Sequence, residues 1–435
     1  MRVIVLGAGV IGVNTAWHLL ERGHDVALVD RQSDAALETS FANAGQISVS
    51  YCEPWAWPGA PLQILKWMAQ SEAPLLFKPR ADWRQWRWGL QFLAQCNERA
   101  FARNVRQLLA LGAYSQQALH ETVAATGIEY HRITRGIAHY FCDARSLDVA
   151  GQAADMMRGL GVERRVLDRD ALLAVEPAFR SFAHRIVGGT YTPSDESGDA
   201  RVFTQALTRL CAARGARMLF GRDIQSIEVE GGEARAVWLS AARGQSSASN
   251  DMRLQADAIV VACGSWTAPL LRPLGIDLPI YPGKGYSASL PILRPEAAPW
   301  ISTIDDEMHC AFTRMGDVLR VAGTIELNGY DLSLDTPLAR TRCEMLVRRV
   351  EQVLPGVCDT RTQSQGGTPN FWTGLRPATP TNIPIIGRTR VRGLWVNAGH
   401  GTLGWTHAAG SGKAIAALIS GERAPIRDFA FHGMD

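Results

Sequence analysis

Hydrophobic positions along the chain switch between two rhythms, and the switches mark its elements. The unbroken apolar run Val3–Leu6 ends in Gly7-Ala8-Gly9-Val10-Ile11-Gly12; a helical spacing follows, and a second run, Val26–Val29, closes on Asp30. From about Trp83 to Thr126 apolar residues recur at three and four (Trp86, Leu90, Leu93, Leu108, Leu109, Leu111, Tyr114, Leu119), which predicts helix. Short apolar runs at Ile137–Phe141 and His184–Val187 flank a helical stretch at Ser146–Leu160. Asp199 stands where an N-cap belongs, ahead of a helical face of Val202, Phe203, Ala206, Leu207 and Leu210, and Gly215 ends that helix. Strands are predicted at Ala216–Phe220, Ile224–Val229 and Ala234–Leu239, and a buried one at Ala256–Gly264. From Gly275 to Thr368 the texture is antiparallel: strands at Ile280–Ser287, Thr303–Ile304, Met308–Phe312 and Val318–Ala322, then a helix over Thr336–Leu354. Between them Asp305-Asp306-Glu307 reads as a solvated hairpin turn. The strand Leu394–Ala398 leads through Gly399–Gly404 into a helix over Thr406–Leu418.

The opening strand, glycine-rich turn, helix and second strand ending in an acid form a dinucleotide-binding βαβ unit. Gly7 permits the tight turn, Gly9 lets backbone approach a pyrophosphate, and Gly12 lets the helix pack on the strand. The helix N-terminus then faces the phosphates. Asp30, eighteen residues after Gly12, is placed to accept hydrogen bonds from a ribose. These residues leave NAD and FAD equally open.

Composition narrows the classes. A chain of 435 residues predicts two domains, and 46% hydrophobic with 20% charged residues describes a globular protein. The net charge of +3 and the lack of a basic run argue against nucleic acid. No signal peptide or membrane-length apolar run is expected. The eight cysteines form no C-x-x-C pair, so reduced thiols and no metal site are expected.

Other segments carry candidate chemistry. In Glu38–Gln46, Thr39 and Ser40 offer hydroxyls to phosphate and Gly45 admits a flat ring, although such residues also start helices. Gly264 brings backbone to the sheet edge that Gly7 occupies, as a second cofactor contact or as a plain turn glycine. The loop Gly399-His400-Gly401-Thr402-Leu403-Gly404 points free N–H groups and a positive dipole end at whatever binds there. Arg376, between Gly374 and Pro377, is a fixed cation near that mouth. Trp55, Trp57, Trp67, Trp83, Trp86 and Trp88 crowd together near Arg84 and Arg87. Their helical spacing favours core or cavity packing over a membrane interface.

Taken together, Gly7–Gly12 with Asp30, Ala262–Trp266, Gly374–Pro377 and Gly399–Gly401 resemble the D-amino-acid oxidase superfamily of FAD enzymes. Glu38–Ser48, Asp195–Asp199, Lys284–Ser287, Phe371–Pro377 and Gly399–Trp405 narrow the resemblance to the bacterial D-amino acid dehydrogenases, nearly to Ser420. It implies an α/β fold: a Rossmann-type FAD-binding domain (1–50, 195–275 and 365–425) with a second substrate domain (51–194 and 276–364). The second is built on an antiparallel sheet plus helices, with a Trp-rich helical insertion at about 51–135.

The resemblance also implies the site. FAD is expected on Gly7, Gly9, Val10, Ile11, Gly12, Asp30, Arg31, Thr39, Ser40, Asn43, Gly45, Gln46, Ile47, Ile224, Ala262, Gly264, Trp266, Gly374, Arg376, Gly399, Gly401, Thr402, Leu403 and Gly404. Its ring would lie near Gly45-Gln46 and Gly399–Leu403, with charge near N1 stabilised by the N–H groups at Gly401–Gly404. Arg376 would clamp a substrate carboxylate bidentately and Tyr286 would add a second bond, with Gln46, Tyr51 and His400 completing the catalytic set. The substrate Cα–H then faces flavin N5. Hydride departure, driven by the amine lone pair, gives an imino acid that water converts to a 2-oxo acid and ammonia. Such catalysis is mostly orientation. Electrons would pass to a quinone-linked acceptor, in the cytoplasm or peripherally on the inner face of the bacterial inner membrane. The neighbouring expectation is oxidation of a cyclic or secondary amine such as D-proline, hydroxyproline, glycine or sarcosine.

Overall fold

The strand Arg2–Leu6 lies inside a six-stranded sheet, between Asp25–Val29 and Ala258–Val261, both parallel to it. Arg217–Leu219 and Leu394–Ala398 extend the sheet in parallel, and Ile385–Arg388 closes one edge antiparallel. This is a computed structural model, and it describes residues 1–68, 73–242, 251–361, 365–367 and 369–433. Both faces of the sheet are covered, which is why its strands read as continuous apolar runs. Val3, Val5, Val26, Leu28 and Val260 pack among residues of the helices Val10–Glu21, Ala200–Ala213 and Gly404–Ile419. Ile4, Leu6, Val29, Ile259 and Val261 pack on a three-stranded antiparallel sheet of Arg222–Glu230, Glu233–Ala241 and Met252–Gln255.

A second, nine-stranded sheet holds the antiparallel block, whose expected end, Thr368, lies outside the described residues. Two of its pairings are parallel: Ser302–Asp305 with Ile137–Phe141, and Val318–Leu327 with Leu75–Phe77. The helix Pro337–Val353 buries Cys343, Leu346, Val350 and Val353 against it. Its outermost strand is Asn370–Ala378, paired residue for residue with Tyr281–Ser289. Residues 365–425 were expected in the nucleotide-binding part, so this strand departs from that expectation. The departure matters, because the strand carries Arg376 out of one sheet to the glycine loop of the other. Ala378 bridges His400, and Gly401 N donates to Pro377 O at 2.9 Å.

The Trp-rich region forms a short helix, Ala60–Met68, and then two more, Trp83–Gln95 and Glu98–Thr126, separated because Asp82 and Asn97 each cap a new start. Trp88 and Phe92 bury against Tyr281, Leu327 and Ala378, which fixes the helix Trp83–Gln95 to the edge of the second sheet. The run His184–Val187 is not a strand; the strand there is Gly188–Thr192.

Asp305-Asp306-Glu307 leads into the turn of a hairpin, as expected, with Glu307 exposed, but the expected solvation fails at Asp305. Asp305 is not solvated but fully buried, accepting from Tyr140 Oη at 2.6 Å, from Arg349 Nε, and from the backbone N–H groups of Glu307 and Met308. Arg349 comes from the helix Pro337–Val353, so its pairing with Asp305 could not be seen locally. Removing one partner of a buried pair leaves an uncompensated charge, at about 3–5 kcal/mol. Arg349→Ala is therefore expected to lower the thermal unfolding midpoint clearly, whereas an unchanged midpoint would show that Asp305 does not depend on it.

Candidate active site

A single cavity of about 1240 Å³ lies where the two sheets meet, lined by residues of both. That exceeds the usual span of a pocket for one small ligand. Gly7, Gly9, Val10, Ile11, Asp30, Arg31, Ile224, Ala262, Gly264 and Trp266 contribute from the parallel sheet and its flanks. Tyr286, Gly323, Thr324, Gly374 and Arg376 contribute from the other, and His400–Gly404 from the loop between them.

The dinucleotide cradle is built by close approach. A Cβ at Gly7 would stand 2.6 Å from Ala262 O, and one at Gly12 only 1.8 Å from Gly7 O. Gly12 does not line the cavity; it holds helix to turn, the role expected of it. The helix Val10–Glu21 has neither a side-chain cap at Gly9 nor an acid in its first turn, and Gly404–Ile419 likewise lacks both at its start. Two positive helix ends are thus left for anionic groups. Ser40 Oγ accepts from Val10 N at 3.0 Å, and Asp30 accepts from Ala8 N at 2.7 Å and Gln32 N at 2.8 Å. Burial pushes the Asp30 carboxyl up, partly offset by those two bonds. Arg31 is tied to Glu38 and its guanidinium lies 4.5 Å above the Trp266 ring, so its charge belongs to the wall. Uncapped helix ends, small residues and an acid at the strand end fit a dinucleotide with an anionic, flat head group.

Several residues are placed otherwise than expected. Thr39 Oγ1 is committed to Leu375 O at 2.9 Å and is not free for phosphate. Asn43 lines the cavity, but its side chain accepts from Gly45 N at 2.9 Å. Ile47 is a core residue, and Gly399 does not line the cavity: its positive φ carries the turn and a Cβ there would strike Thr379 at 2.8 Å. Tyr286 reaches the cavity, yet its hydroxyl donates to Glu326 Oε2 at 2.6 Å. That carboxylate has a second partner in Lys78, so the Tyr286 hydroxyl is engaged away from any substrate.

The reacting region has a distinctive polarity. Arg376 donates Nη1 to Thr324 O at 2.7 Å and pairs with no carboxylate among the described residues. Burial alone pushes its pKa down, to about 10, so it stays protonated near neutrality. Gln46 donates to Ser302 Oγ at 2.8 Å, and that hydroxyl continues to Thr313 Oγ1 at 2.6 Å. Tyr51 lines the cavity, is 40% exposed within it, and sits edge-on to His139 at 4.8 Å. His400 is buried, and burial holds its imidazole neutral, with Nε2 unpartnered among the described residues. Trp55, Trp57, Trp67, Trp86 and Trp88 also line the cavity, so the tryptophan cluster is a wall as well as packing.

Sequence reading missed the anchors. Asp195, buried, accepts from Ser48 Oγ at 2.9 Å, Val49 N at 3.0 Å, Ser50 N at 3.2 Å and Ser50 Oγ, fixing the chain between Gln46 and Tyr51. Two serines near a strand end carry no signal for a partner so distant in sequence.

The chain belongs to the DAO family of FAD dependent oxidoreductases, whose model matches residues 2–418. FAD is thus the cofactor of this family. Over 431 residues the chain is 46% identical to a D-amino acid dehydrogenase of Dechloromonas aromatica (strain RCB), covering 99% of each. It is 42% identical over 426 residues to a D-amino acid dehydrogenase of Rhizobium rhizogenes (strain K84 / ATCC BAA-868), covering 98% of this chain and 97% of that one. Its fold matches glycine oxidase from Bacillus cereus ATCC 14579 with a TM-score of 0.67 at 22% identity, covering 97% of this chain and 95% of that one.

A methyl group at residue 12 has nowhere to go. Gly12→Ala is expected to fold but to purify with little flavin, read from the ratio of visible to ultraviolet absorbance. Full flavin content would show that the turn can open without losing the cofactor.

Proposed function

We propose that this FAD enzyme oxidises D-amino acids to the 2-oxo acid and ammonia, passing the electrons to a quinone-type acceptor. The observation that carries the reading is Arg376: a guanidinium in the cavity wall, desolvated, held by a neutral carbonyl and facing no protein carboxylate among the described residues. Such a cation favours a ligand that brings a carboxylate, and its planar fork suits a bidentate one. The relatives' names supply the D-amino acid.

Within this reading Arg376 holds the substrate carboxylate and fixes Cα. Tyr51, the cavity tyrosine whose hydroxyl makes no hydrogen bond among the described residues, adds the second bond in place of Tyr286. Gln46, pinned by Ser302, borders the amine. FAD, when bound, would supply the acceptor for the hydride that leaves Cα. No side chain is assigned as general base, since the neutral amine drives that step; His400, held neutral, keeps charge out of the loop at Gly401–Gly404. The helix start at Gly404 stabilises negative charge at its mouth. The aromatic wall excludes water and favours an apolar side chain.

For the acceptor, the supporting feature is a group of exposed apolar side chains close in sequence, Trp57, Leu62, Leu65, Trp83, Trp86, Leu90 and Leu93, each at least 45% exposed, with Arg84 and Arg87 over the Trp83 ring. Among the described residues no helix is long and apolar enough to cross a membrane. A peripheral seat on an anionic bilayer, where lipid-soluble quinones reside, suits such a group.

Truncating one partner of a buried charge pair costs 2–5 kcal/mol or more. Arg376→Met is thus expected to keep its flavin and lose about 10²–10³-fold in kcat/KM across a D-amino-acid panel with an artificial acceptor. Turnover confined to D-proline, hydroxyproline or sarcosine in the native enzyme would move the assignment to cyclic or secondary amines, and turnover confined to glycine would move it to a glycine oxidation. Leu65→Ser with Trp83→Ser is expected to weaken sedimentation with anionic vesicles while turnover with a soluble dye persists. Equal sedimentation would remove this group from consideration.

A further inference from the structure

The strands Tyr281–Pro291 and Val318–Leu327 pair regularly from Pro291 opposite Val318 to Tyr286 opposite Gly323, and the next pair is Lys284 opposite Glu326. Two residues, Thr324 and Ile325, therefore face the single Gly285. This is a β-bulge. Thr324 lies within it at φ +56°, a left-handed conformation that a β-branched residue rarely adopts and that no turn requires here. The distortion has a visible product: the Thr324 carbonyl receives Arg376 Nη1 at 2.7 Å. Gly285 provides the space, since a Cβ there would lie 2.6 Å from the guanidinium carbon and 2.7 and 2.8 Å from its two terminal nitrogens. Gly285, Thr324 and Arg376 all line the cavity.

We propose that the Thr324 bulge is a positioning device for Arg376. This rests on the reading of Arg376 as the carboxylate receptor. A carboxylate would orient a guanidinium as well, but it would neutralise the charge and compete with the substrate for the same fork. A backbone carbonyl orients one edge and leaves the charge intact, with Nε and Nη2 carrying no hydrogen bond among the described residues. A regular ladder at this point would turn its carbonyls along the sheet. The bulge turns one out of the ladder and onto Nη1, and the absent side chain at Gly285 lets the guanidinium settle there. Thr324 touches neither substrate nor flavin in this scheme and acts only through Arg376.

The test compares three variants of the flavin-loaded enzyme. Thr324→Pro holds φ near −65°, so the carbonyl cannot keep its direction, while a proline is tolerated at a bulge. It is expected to raise KM for the best D-amino acid by about 30-fold or more, with kcat at saturation changed less than about threefold. Gly285→Ala displaces the guanidinium without touching Thr324 and is expected to give the same split, which decides the matter if the proline variant does not fold. Thr324→Gly adopts the observed φ without strain and should keep KM within about threefold of the native value. A native KM in Gly285→Ala or in a folded Thr324→Pro would overturn the proposal, as would equal losses in kcat and KM. If the native enzyme oxidises no amino acid at all, the functional reading fails instead, and that is known before any variant is made.

Discussion

A cation without an anion is the constraint around which this molecule is arranged. Burying a charge is costly unless it is paired or hydrogen-bonded, and proteins usually pair it. Several buried arginines follow that rule: Arg349 meets Asp305, Arg320 meets Asp199, and Arg164 meets Glu53, whereas Arg342, deep in the second sheet's core, is held among the described residues only by the Ala73 carbonyl. Arg376 differs in lining the cavity, where a neutral carbonyl and no protein carboxylate among the described residues leave its charge open to a ligand. The outermost strand of one sheet must reach the glycine loop of the other to present it, and the bridge between Ala378 and His400 secures that meeting.

The remaining electrostatics support the same division. Two helices begin at the cavity with no side-chain cap, one at Gly9 and one at Leu403, separated by nearly the whole chain. One opens from the glycine-rich turn of the βαβ unit and the other stands beside the loop that follows Arg376. Positive ends and the Arg376 guanidinium thus face one space, and several ionisable groups near them are engaged or neutral. Glu38 is held by Arg31, Glu326 by Tyr286 and Lys78, and His400 stays uncharged.

What sequence could reveal follows from how local each feature is. The glycines at residues 7, 9 and 12 with Asp30 were readable because their geometry is set within one βαβ unit. The helix over Thr406–Leu418 and the cap at Asp199 are similarly local. Asp305 was misread because its partners, Tyr140 and Arg349, arrive from other elements. Tyr286 was assigned a free hydroxyl because Glu326 meets it only through the pairing of two strands. Thr324 carried no signal, since a threonine just beyond a predicted strand end looks ordinary until the register shift beside it is known. Long-range register, rather than composition, separates what was legible from what was not.

On the proposed reading, Arg376 awaits a carboxylate. Calorimetric titration of the flavin-loaded enzyme with benzoate, a carboxylate it cannot oxidise at Cα, tests this without turnover. Saturable one-to-one binding in the native protein and loss of about two orders of magnitude in affinity in the flavin-replete Arg376→Met variant are the predicted results. Equal affinity in the two proteins would contradict the account.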